Sequence, residues 1–231
     1  MSKELKWGTI IPLIGGSAIG CKNSAGNEPA FHLSYDAFAA NESHIEKYWP
    51  DVPMYRLDHE DLEIPNQTFN EVDYVNSVCP CAGLSQLNSA RGTAASRGSG
   101  ATQNKWMYDS SEYILENVKP KVLWGENAPG LFTKMGEGVV ERLKEIGRKH
   151  GYSFSLIKTN TELHGIPQRR MRTFYFFWNT PTVPLLSWKF REKKNLIDYL
   201  NEIPEEATHQ DMFMVEGKVT EHFRPYEFVL E

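Results

Sequence analysis

The sequence predicts an α/β protein built on a mostly parallel sheet flanked by helices. Three observations predict it. Strand-like apolar runs alternate with stretches of helical period along most of the 231 residues. Hydrophobic residues make up 40% of the chain and charged residues 24%, ordinary values for a globular domain with a core of its own. Four glycine or polar clusters fall at strand termini, and open parallel sheets bind ligands at the carboxyl ends of their strands.

Each element follows in order. Gly-Thr-Ile-Ile-Pro-Leu-Ile at 8–14 is a β-branched apolar run that ends at Gly15-Gly16, where a short helix begins. Residues 30–35 read as a second strand, and Asp36 to about Tyr48 as its helix. Residues 72–78 form a third strand that ends at two cysteines. Met107, Ser111, Ile114, Leu115 and Val118 share one helical face, and Pro120 stops that helix. Lys121 to Trp124 is a short buried strand ending at Gly125-Glu126-Asn127. Val139, Val140, Leu143 and Ile146 mark an amphipathic helix that stops near Gly151. Residues 153–159 alternate as a half-buried strand, and the aromatic run 173–178 suits a sheet centre. Residues 1–180 therefore read as one domain. From about Pro181 prolines recur and the alternation ends, so 181–231 reads as an irregular tail or the start of a separate region.

Composition narrows the function classes. A formal charge of −5 argues against a nucleic-acid coat over the whole surface but leaves room for a local basic groove. No stretch approaches the length of a membrane span, and the first residues lack the apolar core of a signal peptide. Three cysteines, an odd number, do not make a disulfide framework, which points to a reducing cytoplasm.

The chemistry concentrates at the strand ends. Val78 to Ser85 reads Val-Cys-Pro-Cys-Ala-Gly-Leu-Ser, and residues 86–105 then carry no acid but hold Arg91, Arg97 and Lys105 among glycines and serines. Neither Cys21 nor the scattered histidines supply the partners that a zinc site needs. Cys79 reads as a small buried hydrophobe. Cys81, after a proline and beside a basic loop, suits a nucleophile, because the thiolate reacts and nearby cations favour it. A glutamate such as Glu126 at a strand end is more often a solvated loop acid. It gains interest because its strand belongs in the same sheet as the one that delivers Cys81. In Gln168-Arg169-Arg170-Met171-Arg172, alternation points Gln168, Arg170 and Arg172 one way and Arg169 and Met171 the other. Two arginines on one face form a fork for a carboxylate, a phosphate or a base carbonyl. Gly15-Gly16 with Gly20 is a tight turn first and a cofactor loop second.

Taken together, these stretches resemble the cytosine-C5 DNA methyltransferase family. Pro80 to Ser85 resembles its Pro-Cys-Gln-Gly-Phe-Ser nucleophile loop, Glu126-Asn127-Ala128 its Glu-Asn-Val motif, and Gln168-x-Arg170-x-Arg172 its Gln-x-Arg-x-Arg motif. Order and spacing agree over roughly the first 180 residues. The resemblance implies a Rossmann-like, S-adenosylmethionine-dependent methyltransferase fold. It implies catalytic roles for Cys81, Glu126, Arg170 and Arg172, with Cys81 attacking C6 of a flipped cytosine and Glu126 protonating the N3 side. It places S-adenosylmethionine against Ile11, Gly15, Gly16, Tyr35, Asp36, Asp58 and Pro80. It places the nucleic-acid substrate, DNA, against Ser85, Arg91, Arg97, Asn127 and Gln168, with no metal and no membrane. Localisation follows as cytoplasmic or nucleoid-associated.

Two departures from the pattern stand out. Ile11 and Leu13 occupy the places of the family's aromatic and first glycine, and Ser34 stands where the ribose-binding acid is usual. The chain also ends about where the family's target-recognition region begins, which implies truncation or a second polypeptide that supplies that region and the final motif. Two rivals share these residues: a relative that kept the fold as a DNA- or partner-binding module, and an RNA cytosine methyltransferase of the same family.

Overall fold

The computed structural model describes residues 4–65, 69, 72–85, 97–186, 190–193 and 195–202. Arg91, most of the glycine-rich loop and residues 203–231 lie outside the described residues. Seven strands form one sheet: β1 (Trp7–Ile10), β2 (His32–Ser34), β3 (Met54–Arg56), β4 (Tyr74–Ser77), β5 (Val122–Asn127), β6 (Ser153–Asn160) and β7 (Met171–Trp178). Their order is β3-β2-β1-β4-β5-β7-β6. The first five run parallel, while β7 is antiparallel to both β5 and β6. The expected α/β architecture is present, with a mostly parallel sheet flanked by helices.

Helices α1 (Gly16–Ala25) and α2 (Ala39–Tyr48) lie on one face. Ala18 and Cys21 of α1 and Ile45 of α2 pack there with Trp7 and Trp49. Helices α3 (Asn104–Tyr113) and α4 (Glu137–Lys149) cover the other face. Met107, Val139, Leu143 and Ile146 meet Val75, Leu123, Tyr175 and Phe177 in the larger core. A short α5 (Leu196–Asn201) follows in the tail. None of the helices among the described residues is long and apolar enough to cross a membrane.

Three details differ from the sequence expectation. The first strand stops at Ile10 instead of running to residue 14, because the backbone turns to positive φ at Ile11 (52°) and again at Leu13 (51°). An apolar run does not distinguish a strand from a turn whose apolar side chains face a cavity. β3 went unforeseen, since three residues are too few to show a period. The helix expected to reach Val118 is α-helical to Tyr113 and widens into a π-turn over Ile114–Val118. It ends at Lys119 in the left-handed region, just before Pro120.

Buried polar groups tie the strands together. His32 is fully buried on β2, its Nδ1 sits 2.7 Å from the Thr9 hydroxyl, and its ring tilts against Trp49. Burial pulls its pKa from 6.5 down to about 4. The folded value therefore lies below the unfolded one. Between these values the unfolded chain binds a proton that the fold excludes, so stability is present above pH 6.5 and is lost as pH falls towards 4. The loss amounts to roughly 3 kcal/mol. His32→Gln should be less stable than the parent near neutrality yet lose less stability on acidification. Urea midpoints at about pH 7.5 and 4.5 measure this, and equal losses in both proteins would remove His32 as the cause.

Candidate active site

The carboxyl edge of the sheet gathers the predicted residues by topology. β4 and β5 are parallel neighbours with Ser77 opposite Gly125, so the loops that follow them start side by side. The β4 loop runs through Cys79, Pro80 and Cys81 into a 3-10 turn over Ala82–Leu84. The β5 loop runs through Asn127 into a similar turn over Pro129–Phe132. These two turns pack directly: a Cβ on Gly130 would lie 2.2 Å from the Leu84 carbonyl oxygen, a contact that only glycine tolerates. Because β7 runs antiparallel to β5, its amino end lies at the same edge, and Arg170 and Arg172 arrive beside Glu126.

The two cysteines of the loop have opposite surroundings. Cys79 is buried, with its sulfur 3.2 Å from the Ser77 hydroxyl and 3.3 Å from that of Ser110, and burial pushes its thiol pKa up. Cys81 is exposed. Both are free thiols, as is buried Cys21, whose pKa burial raises to about 11.

Glu126 is the acid of the site. Arg172 donates from Nε to Glu126 Oε1 at 2.6 Å, and its own Nη1 donates to the Met171 carbonyl at 2.7 Å. Burial pushes the Glu126 carboxyl above the usual carboxylate range, while Arg172 and Arg170 pull it back. The Arg170 backbone N–H is held by Asn160 Oδ1 and Thr161 Oγ1, both at 3.1 Å, and the residue lines a cavity that Glu126 also lines. That cavity is a groove of about 1050 Å³. Glu126, Arg170, Arg172 and Phe174 line it on one side, and Leu13, Gly16, Ser17 and Val78 on the other. The alternation read from the sequence accounts for both arginines reaching one cavity.

A family model for C-5 cytosine-specific DNA methylases matches residues 12–227. The chain belongs to this family. Its fold resembles those of family-like solved structures at low identity. Entamoeba histolytica methyltransferase EhMeth superposes with a TM-score of 0.58 at 16% identity, over 84% of this chain and 58% of that one. A protein encoded within an E. coli prophage, described as a DNA modification methyltransferase, gives 0.55 at 19%, over 75% and 46%. S. pombe Dnmt2 methyltransferase gives 0.52 at 16%, over 85% and 59%. The chain thus spans about half the length of these structures. No curated protein matches it.

The remaining predicted residues lie around this groove and away from it. Gly15, at φ 87°, turns the chain into α1, and the space beside Gly16 is open. Fully buried Ile11 belongs to the core, and half-buried Pro80 precedes Cys81. Half-buried Tyr35 packs its ring 5.0 Å from Trp106. Both Asp58 carboxylate oxygens accept the Asp36 N–H at 3.0 Å, and Asp36 Oδ2 meets His59 Nε2 at 3.0 Å. Asn127 is fully buried, and its Oδ1 accepts the Ala128 N–H at 2.9 Å, so it shapes the turn after Glu126. Ser85 is half-buried, and Arg97 and Gln168 are exposed.

Sequence reading missed Glu42. It lies fully buried in α2, accepts the Ser34 hydroxyl proton at 2.6 Å and pairs with Arg56. A glutamate in a polar helix carries no signal of burial, and its partner sits on the unforeseen β3.

The Arg172–Glu126 pair makes a direct prediction. Arg172→Gln removes the largest influence opposing burial, so the Glu126 pKa should rise further. Carboxyl-carbon NMR titration of the two proteins reads it. An unchanged or lowered value would mean that Arg172 does not govern this acid.

Proposed function

We propose that this chain is the catalytic domain of a DNA cytosine-5 methyltransferase that works through a covalent Cys81–C6 intermediate. The observation that carries the reading is the shared groove, in which a burial-raised acid and two arginines face the turn between β1 and α1. Exposure of Cys81 beside buried Cys79 supports the choice of nucleophile.

The β1–α1 turn fits S-adenosylmethionine. Gly15 caps α1 without a side chain, so the N–H groups of the first turn are left for a carboxylate, and nothing fills the space at Gly16. Gly15 and Gly16 would hold the methionine end, with Tyr35, Asp36 and Asp58 towards the adenosine. When bound, the cofactor supplies an electrophilic sulfonium methyl group for C5.

The chain's own residues make C5 reactive. The Cys81 thiolate adds to C6 of a cytosine flipped out of the helix and breaks the 5,6 double bond. Glu126, whose hold on a proton burial strengthens, hydrogen-bonds N3 and delivers a proton there, neutralising the electron density that the addition drives into the ring. Arg172 holds Glu126 in place, and Arg170 is positioned to meet the base. After C5 is methylated, loss of its proton to solvent and departure of the Cys81 thiolate restore the double bond, and N3 returns its proton to Glu126. Arg91, Arg97, Ser85 and Gln168 are proposed to meet the polynucleotide, and Asn127 to hold the loop beneath it.

Residues 181–231 are proposed to begin a target-recognition region. The apolar wall of the groove supports this reading, since Val122, Trp124 and Phe174 line it beside α1, each half-buried.

DNA containing 5-fluorocytosine should become covalently attached in the presence of S-adenosylmethionine, since fluorine blocks the final proton loss. Cys81→Ala should abolish the adduct and Cys79→Ala should keep it; an adduct that survives Cys81→Ala would exclude this nucleophile. Tritiated-methyl transfer from S-adenosylmethionine to mixed-sequence DNA should be lost in Cys81→Ala and kept in Cys79→Ala. Transfer to RNA in place of DNA would reassign the substrate.

A further inference from the structure

The ends of β1, β2 and β3 carry the three loops proposed above to hold S-adenosylmethionine, and one side chain reaches all three from beneath. Glu42 projects from α2 and is completely buried. Its Oε1 accepts the hydroxyl proton of Ser34, the last residue of β2, at 2.6 Å. Its Oε2 pairs with Arg56, the last residue of β3, and Arg56 also reaches Glu46 at 3.4 Å. The backbone N–H of Leu13, in the strained β1–α1 turn, adds a further favourable interaction with the same carboxylate. Two backbone links complete the assembly. The Leu57 N–H donates to the Ser34 carbonyl at 2.8 Å, and the Asp36 N–H donates to Asp58.

A buried ion pair is a poor source of net stability, because desolvation offsets most of its attraction. Fixing geometry is the use that such a pair serves better. The site has that need. A leucine at positive φ is strained and persists only where its surroundings hold it. Ser34 also brings no charge of its own to the end of β2.

We propose that Glu42 is a positioning residue for S-adenosylmethionine, locking the ends of β2 and β3 and the β1–α1 turn in the arrangement that receives the cofactor. The role rests on the cofactor reading given above. It places the organising carboxylate inside α2, out of contact with the ligand, in a chain whose β2 ends in serine.

The test uses the full chain and Glu42→Gln, which keeps shape but removes the charge. Calorimetric affinity for S-adenosylmethionine should fall by about tenfold or more, the scale of one lost charge-assisted hydrogen bond. Amide exchange without cofactor gives a second readout. The amides of Leu13, Asp36 and Leu57, one per loop, should exchange at least about fivefold faster, while those of Val75, Leu123 and Tyr175 stay unchanged. Should Glu42→Gln not fold, Arg56→Lys keeps the charge but loses the planar fork, and it should move both readouts the same way by less. Uniformly faster exchange, core included, would show a merely structural role and overturn the proposal. So would unchanged affinity in a variant of a parent that binds. A parent chain that binds no S-adenosylmethionine would overturn the cofactor reading and this role together.

Discussion

The pairing of β5 with β7 is the constraint on which the site depends. Its antiparallel register sets Glu126 opposite Phe174 and Asn127 opposite Thr173, and so brings the start of β7 to the edge where the parallel strands finish. Run the other way, the same strand would carry Arg170 and Arg172 to the far side of the sheet. The acid would then lie half-buried without the cations that moderate its pKa. A carboxyl in that setting is valuable because two opposing influences meet on it, burial prevailing over paired arginines.

The groove shows the same economy of position. Helices α1 and α2 shield the sheet from β3 to β4, and the aromatic face of β5 and β7 continues beyond α1 as a wall of the groove, half-buried at Trp124 and Phe174. Trp124 and Phe174 are thereby left beside Glu126 and the arginines. Apolar walls with a few convergent polar groups are the usual composition of a ligand site. Here the walls exist because part of the sheet face is only half-buried.

Much of this was legible in the sequence. Strand–helix alternation gave the architecture, period-two alternation placed Arg170 and Arg172 on one side, and the contrast between a buried Cys79 and an accessible Cys81 followed from their place at a strand end. What stayed hidden has physical reasons. Ile11 to Ile14 look like strand because their apolar character serves a turn and a cavity as well as a core. β3 is three residues long, and its only loud feature, Arg56, finds its partner from a different element. The Ser34–Glu42 bond joins a strand end to the middle of a helix, and no local pattern reports a contact of that kind. The antiparallel turn of β7 was equally silent, since a strand's sequence carries its faces but not its direction.

The sheet's two halves also differ in how far the chain must travel to close them. β6 and β7 form a hairpin joined by residues 161–170, whereas Trp7 must find Tyr74 across the whole of α1, β2, α2 and β3. Loop closure disfavours the second pairing more than the first, and contacts between distant residues come later in folding. On that reckoning the arginine-bearing hairpin assembles early. The β1–α1 turn at Ile11 and Leu13, strained and dependent on its surroundings, takes shape only when the last long crossover is complete.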